Sequence, residues 1–255
     1  MNKHTFEFRS VSKIFGETLA LKEVSFTIQA GVHLAITGPS GCGKSTALRL
    51  LAGLDAPDRG EIYSDGILVS FAGRIVVPAH KRDLAMVFQD LALWPNLSVF
   101  ENVMLGLSHK EGSASEKKDR AIEALKLCSI ERLLARKPGQ LSGGQQQRLA
   151  LARAIAVTPR FLLLDEPFSG LDLLTKMRLL DEIASLAQKR KITIVLVTHD
   201  PFEATALCRN ATILNDGEIE ETGLLTDLLE RPKSEILKIF KSHLQQLPGQ
   251  RGVLN

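Results

Sequence analysis

Eight residues near the start of the chain, Gly38-Pro39-Ser40-Gly41-Cys42-Gly43-Lys44-Ser45, have the types and spacing of a loop that holds an anion. They fit the pattern G-x-x-x-x-G-K-[ST]. Glycines let the backbone wrap a phosphate with its N–H groups. Lys44 would reach β- and γ-phosphates, and the Ser45 hydroxyl would ligate Mg²⁺, with Thr46 next in the same turn. A second cluster, Phe161-Leu162-Leu163-Leu164-Asp165-Glu166, runs apolar residues into two adjacent carboxylates. Side chains alternate along a strand, so the two acids are expected to point differently. Asp165 suits a Mg²⁺ shell through water, and Glu166 suits polarising an attacking water. A third cluster is Leu141-Ser142-Gly143-Gly144-Gln145-Gln146-Gln147-Arg148. Ser142 and Gln145 have the spacing of a capping box, which many helices use. Gly143 and Gly144 inside it leave bare backbone at a helix N-terminus, which makes a second anion site.

The flanking patterns supply elements to position these clusters. The apolar run Val32–Thr37 leads into the first loop, and a helix over Ser45–Leu51 leaves it and stops near Gly53. A strand over Phe161–Asp165 carries the acids. Thr5–Phe8 and Val24–Ile28 alternate as strands, and Leu84–Phe88 is another. Ser98-Val99-Phe100-Glu101 is a capping box that starts a helix. The polar stretch His109–Ser115 leads into a helix over Glu116–Leu127, and a third helix runs from Ser142 to before Pro159. Further on, Leu173, Met177, Leu180, Ala184 and Ala187 mark one helix face, and Ile192–Val197 is a buried strand. Asn215-Asp216-Gly217 is a hairpin turn between Ala211–Leu214 and Glu218–Glu221. Alternating strands and helices around buried apolar runs imply an α/β fold with a mostly parallel sheet. The expected organisation is a discontinuous core over 1–89 and 159–230, a helical insertion over 90–158, and a C-terminal helix and tail over 231–255. The tail is expected to be loosely ordered from Leu244.

Composition narrows the class. The 255 residues are 44% hydrophobic and 24% charged, which excludes a disordered, collagenous or disulfide-scaffold chain. Lys+Arg exceeds Asp+Glu by 32 to 29, a net +3 that gives no reason to expect a nucleic-acid partner. Cys42, Cys128 and Cys208 are too scattered for a metal cluster and too few to pair completely, so a reducing compartment is expected. Met1–Glu7 lacks the apolar core of a secretory signal. No run approaches the ~18–20 apolar residues that span a bilayer. A cytoplasmic protein that meets a membrane only through a partner is the expectation.

The series of a phosphate loop, then LSGGQQQR, then LLLDEP after a short helix resembles the ATP-binding subunits of ABC transporters. The resemblance covers about residues 5–230. It extends to Gln89 in Val87-Phe88-Gln89-Asp90, to Ser169-Gly170-Leu171-Asp172, and to His199 in Val197-Thr198-His199-Asp200. It implies a RecA-like P-loop NTPase core with an antiparallel N-terminal β subdomain and a helical insertion. It also implies ATP and Mg²⁺ as ligands and a head-to-tail pair of subunits. Each ATP would lie between the phosphate loop of one subunit (Gly38 to Thr46) and Ser142, Gly143, Gly144 and Gln145 of the other. By the same resemblance Gln89 would sense Mg²⁺ and the attacking water, His199 would contact the γ-phosphate, and Asp172 would organise the dimer interface. Asp172 could equally cap the helix that follows it. His199 ends a strand at the sheet edge where ligands bind in open α/β folds. Phe15 stands where adenine would stack, in place of the more usual tyrosine; the other reading is a core side chain. Gly170 replaces the more usual alanine or asparagine, which would loosen that loop.

The run Leu91-Ala92-Leu93-Trp94-Pro95-Asn96-Leu97-Ser98 holds the only tryptophan. An apolar loop with an aromatic suits a groove for a helix of a permease subunit, and it would equally suit internal packing. The run resembles that of importer ATPases for sugars, polyamines and iron(III), in a short form ending at Asn255 without a regulatory domain. Two other classes were weighed. An ABC ATPase of translation or DNA repair usually has two ATPase units or long coiled coils, and here there is one phosphate loop and no sustained heptad pattern. A small-molecule kinase would leave Ser142–Gln145 and His199 unexplained.

Overall fold

The structure is a computed structural model that describes residues 5–245. In chain order the strands and helices are β1 (Thr5–Phe15), β2 (Thr18–Gln29), β3 (Leu34–Thr37), α1 (Lys44–Ala52), β4 (Arg59–Ser64), β5 (Ile67–Phe71), β6 (Arg74–Ile75) and β7 (Leu84–Val87). Then come α2 (Val99–Leu107), α3 (Ala114–Leu127), α4 (Gly143–Ala156), β8 (Phe161–Asp165), α5 (Leu173–Arg190) and β9 (Thr193–Val197). The chain continues through α6 (Pro201–Leu207), β10 (Asn210–Asn215), β11 (Glu218–Leu224), α7 (Leu225–Glu230) and α8 (Glu235–Gln245). Two compact units result, 5–84 with 193–245, and 85–192.

The first unit contains an antiparallel sheet in the order β2-β1-β4-β5-β6. Phe6, Phe8, Val11, Leu21, Val24, Ile28 and Ile62 bury one side of it. β1 and β2 run longer than their hydrophobic alternation predicts. Register shifts interrupt the pairing after Phe8 and Val11, and Ser10 and Glu23 take left-handed φ values of 46° and 48°. Such bulges carry a strand past a break in its alternation. The same unit holds β11-β10-β3-β9. β3 lies parallel to both β10 and β9, and every residue of β3 and β9 is buried, as the continuous apolar runs predicted. β10 and β11 form the expected hairpin, with Asp216 at φ 46° and Gly217 at φ 81° in the turn.

Arg82, invisible as a structural residue in the sequence, closes the C-terminal end of α1. Its five N–H donors go to the carbonyls of Val77, Leu50, Leu51 and Val69 and to the Ser70 hydroxyl. Burial pulls its pKa down to about 10, so it stays cationic at neutral pH. Gly53 ends α1 with φ 73°, and a side chain there would collide with the Arg82 guanidinium. Leu244 and Gln245 belong to α8, with Leu244 buried, rather than to a loose tail, and the expected tail from 246 on lies outside the described residues.

The second unit holds the helices expected over 90–158, together with β8 and α5. α2, α3 and α4 each begin with a serine capping box, at Ser98/Glu101, Ser113/Glu116 and Ser142/Gln145. On α5 the buried residues are Leu179, Leu180, Ile183, Leu186 and Ala187. That stripe is rotated about the axis from the expected one, and it leaves Leu173 70% and Met177 56% exposed, with Leu174 between them 81% exposed. All three cysteines are buried and unpaired.

His33 sits half-buried before β3, and its Nδ1 accepts the Ile194 N–H at 3.1 Å. Burial lowers its pKa from the ordinary 6.5. The unfolded chain therefore takes up a proton that the folded chain refuses, and stability is lost as pH falls below the unfolded value. The expected result is a melting temperature that drops between about pH 7 and about pH 5.5, with a smaller drop in His33→Gln, which cannot titrate. Thermal melts of both proteins across that window check it.

Candidate functional site

β3 delivers the chain into the glycine loop. Gly38, Gly41 and Gly43 have φ of 150°, 81° and 102°. A side chain at Gly38 would collide with the Leu214 carbonyl oxygen, and one at Gly43 with the Ala20 carbonyl oxygen, whereas Gly41 faces open space. Glycine is thus required twice for packing and φ, and once for φ alone. Lys44 is buried, and its Nζ donates to Gly38 O at 2.9 Å and Pro39 O at 2.7 Å. The ammonium ties down these two carbonyls, and Pro39 O also accepts the Cys42 N–H at 3.4 Å. The Cys42 thiol lies 3.8 Å from the same Nζ, and burial pushes its pKa up. α1 starts at Lys44 with no side-chain cap and no acidic residue in its first turn, so its positive end is kept for an anion. Ser45 and Thr46 lie half-buried in that turn, while Pro39 and Ser40 are exposed. This cradle fits a polyphosphate.

Two further candidates gather around it in the same unit. β3 and β9 are parallel neighbours with Ile36 opposite Val197. Gly38 and His199 each lie two residues further on, so they leave the same edge of the sheet. His199 is exposed and set in a brace that the sequence did not reveal. Thr198 Oγ donates to Glu203 at 2.6 Å and accepts the Asp200 N–H at 3.0 Å, and Asp200 caps α6 through the Phe202 N–H. Phe15 is exposed rather than core, at the end of β1 opposite Thr18 on the hairpin whose Ala20 abuts Gly43. The Lys13 ammonium lies 5.2 Å from its ring centre.

The second unit carries the remaining candidates. Asp165 is buried at the end of β8. Glu166 has left the strand and has φ 47°. The strand alternation expected of this pair therefore stops at Asp165, and Glu166 follows on a backbone turn. For a non-glycine residue that conformation costs about 1–2 kcal/mol. Gln89 is exposed beyond β7. Ser142 accepts the Gln145 N–H and Gln145 Oε1 accepts the Ser142 N–H, which leaves the Gly143 and Gly144 amides at the helix end. The side chain of Gln147 donates to Ser169 Oγ and accepts the Gly170 N–H, both at 3.2 Å. Gly170 is therefore pinned, not loosened, and a side chain there would press on the Gln147 amide. Asp172 caps α5 through the Thr175 N–H at 3.0 Å, and these Thr175 bonds hold its carboxyl below the usual range. Trp94 is 57% exposed and so is not packed internally, whereas Leu93 is half-buried. Its backbone is held by the buried Asn102, whose amide accepts the Trp94 N–H and donates to the carbonyls of Trp94, Leu97 and Ser98.

A family model described as "ABC transporter" matches residues 21–169. The chain belongs to the ABC transporter family. A spermidine/putrescine import ATP-binding protein, PotA, of Oleidesulfovibrio alaskensis is 41% identical over 96% of this cassette and 65% of its own length. A Fe(3+) ions import ATP-binding protein, FbpC, of Agrobacterium fabrum is 41% identical over 94% of this cassette and 67% of its own length. The cassette thus spans about two thirds of the length of these relatives. Among solved structures, the dimeric bacterial ABC transporter cassette MJ0796 is 37% identical with a TM-score of 0.79, over 86% of this chain and 98% of that one. A further structure of that cassette holds ADP and Pi. The fold is that of these ABC cassettes. No helix among the described residues is long and apolar enough to cross a membrane.

The glycine contacts give a graded expectation. Gly41→Ala should destabilise by about 1–2 kcal/mol through its left-handed φ alone. Gly43→Ala should lower the melting temperature further, since the loop must also move off Ala20. Equal effects in thermal melts would contradict this packing.

Proposed function

We propose that this chain is the ATP-hydrolysing subunit of an ABC transporter, acting as a head-to-tail pair on the cytoplasmic face of a membrane beneath permease subunits. The observation that carries the reading is the glycine cradle with its buried lysine and uncapped α1. Lys44 binds the β- and γ-phosphates, and the amides of residues 41–46 surround them. Phe15 stacks on adenine through the ring face that Lys13 does not cover. Ser45, Gln89 and, through water, Asp165 would hold Mg²⁺, which when bound would neutralise phosphate charge. Glu166 orients and polarises the attacking water, Gln89 helps to position it, and His199 donates to the γ-phosphate. Ser142 acts on the partner's nucleotide. Its oxygen accepts in the capping box, so its hydroxyl proton is left to donate to the γ-phosphate, beside the Gly143 and Gly144 amides and Gln145. Asp172 fixes the start of α5 where the second subunit arrives.

Residues 90–158 form the helical subdomain, between core segments 1–89 and 159–230. The exposed Trp94 in the run Leu91–Leu97 is the dock for a permease helix. Import is the direction favoured, because the relatives named above are import proteins for polyamines and iron(III).

Two mutants test this. Lys44→Ala should lower MgATP hydrolysis by about a hundredfold or more, since a charge on the transferring phosphate is lost from a partly dry site. Wild-type hydrolysis in that mutant would refute the site. Glu166→Gln should hold two subunits around ATP, because the base is lost and a negative charge beside the triphosphate is removed. Light scattering should give twice the monomer mass with MgATP and the monomer mass with ADP. Adding Ser142→Arg should restore the monomer, and a dimer that survives it would mean Ser142 does not face the partner's nucleotide.

A further inference from the structure

α4 is one uninterrupted helix from Gly143 to Ala156, without proline, and it holds three loops. Its N-terminus is the Ser142 capping box. One turn on, Gln147 grips Ser169 and Gly170, the segment that leads to Asp172. About 9 Å further along the axis, Arg153 reaches the loop after Gln89, where its two terminal nitrogens donate to Ala92 O at 2.6 Å and Leu91 O at 2.8 Å. Those two residues are consecutive and both left-handed, with φ 62° at Leu91 and 43° at Ala92. Neither is glycine, so each costs about 1–2 kcal/mol. A bidentate, charge-assisted pair of bonds offsets such strain. The arginine stem passes over Gly106 of α2, where a side chain would crowd its Cγ at 3.4 Å. Asn102, also on α2, then fixes Trp94 just beyond the arginine-held turn. Burial lowers the pKa of Arg153, so its charge is poorly hydrated and strongly committed to these carbonyls.

We propose that Arg153 is a positioning residue that couples the nucleotide to the dock: a shift of α4 when Ser142 engages the partner's γ-phosphate is transmitted through Arg153 to Leu91–Ala92 and moves Trp94. The inference rests on the nucleotide reading above and adds a route to it. A rigid helix moves as a body, and among the described residues it is Arg153 that ties α4 to the loop 91–97 with charged bonds. The other side-chain bonds to this loop come from Asn102 on α2, at Trp94 and Leu97.

Trp94 is the only tryptophan, so its fluorescence reports this loop without labelling. The experiment compares its emission maximum and acrylamide quenching with and without MgATP in the full chain carrying Glu166→Gln, while calorimetry measures MgATP affinity. With Arg153 present, MgATP should change both optical signals. In Arg153→Met, which keeps the stem without the donors, the change should be at least about fivefold smaller while affinity stays within about twofold. Arg153→Lys retains a cation that reaches a carbonyl, so an intermediate change is expected, and this variant decides the matter if the methionine protein melts early. A full optical change in both variants overturns the proposal. So does a parent protein that binds MgATP and dimerises with no change at Trp94. A parent that binds no MgATP overturns the nucleotide reading and this coupling with it, and calorimetry tells the two cases apart.

Discussion

At each end of the glycine loop the backbone lies against a carbonyl of another segment with no room for a single carbon between them. Gly38 meets Leu214 and Gly43 meets Ala20. These contacts set the loop between β10 on one side and the β1–β2 hairpin on the other. A third contact locks the two supports together, since the Lys22 N–H donates to Gly217 O at 2.7 Å and Gly217 itself packs under Ala20. The anion cradle, the hairpin that ends in Phe15 and the turn at Asp216-Gly217 therefore form one packed cluster. Lys44 completes it from inside by tying down the Gly38 and Pro39 carbonyls. The path of the loop is thus fixed from outside by packing and from inside by a cation.

The second unit uses side chains for the same purpose. Its irregular segments are held by polar groups on helices: Asn102 for Trp94 to Ser98, Arg153 for Leu91 and Ala92, Gln147 for Ser169 and Gly170. Buried or half-buried amide and guanidinium groups are suited to this, because each leaves an expensive unpaired group if the loop departs. The loops are exposed, yet their conformations are specified from beneath.

The sequence made the chemistry easier to read than its supports. The glycine loop, the paired acids and the serine capping boxes are local patterns, complete within a few residues, and so are the hairpin at Asp216-Gly217 and the cap by Asp172. Ser113 and Glu116 had the same S-x-x-E signal and were masked only by the polar stretch around them. The residues that were missed act at a distance. Arg82 and Arg153 look like any other of the 32 basic residues, and their roles depend on carbonyls 5 to 62 positions away, which carry no sequence signal. Bulges at Ser10 and Glu23 hide about half of β1 and β2, and the expected apolar stripe of α5 holds at Leu180 and Ala187 but not at the exposed Leu173 and Met177. The turn at Glu166 was missed because nothing in its residue type announces a left-handed backbone.

The position of β3 in its sheet has a consequence for how the protein is made. This strand has β9 on one side and β10 on the other, and the bond from the Gly31 N–H to Thr193 Oγ spans 162 residues. Leu214, against which Gly38 packs, comes later still. On a ribosome adding about 5–20 residues per second, the cradle segment waits roughly ten to thirty seconds before either neighbouring strand exists. Through that interval residues 34–37 are an unpaired apolar segment, and the loop beyond them has nothing to close against. The glycine loop can therefore reach its packed form only in a chain whose synthesis has passed the β10–β11 turn, so its closure is among the last local events of folding.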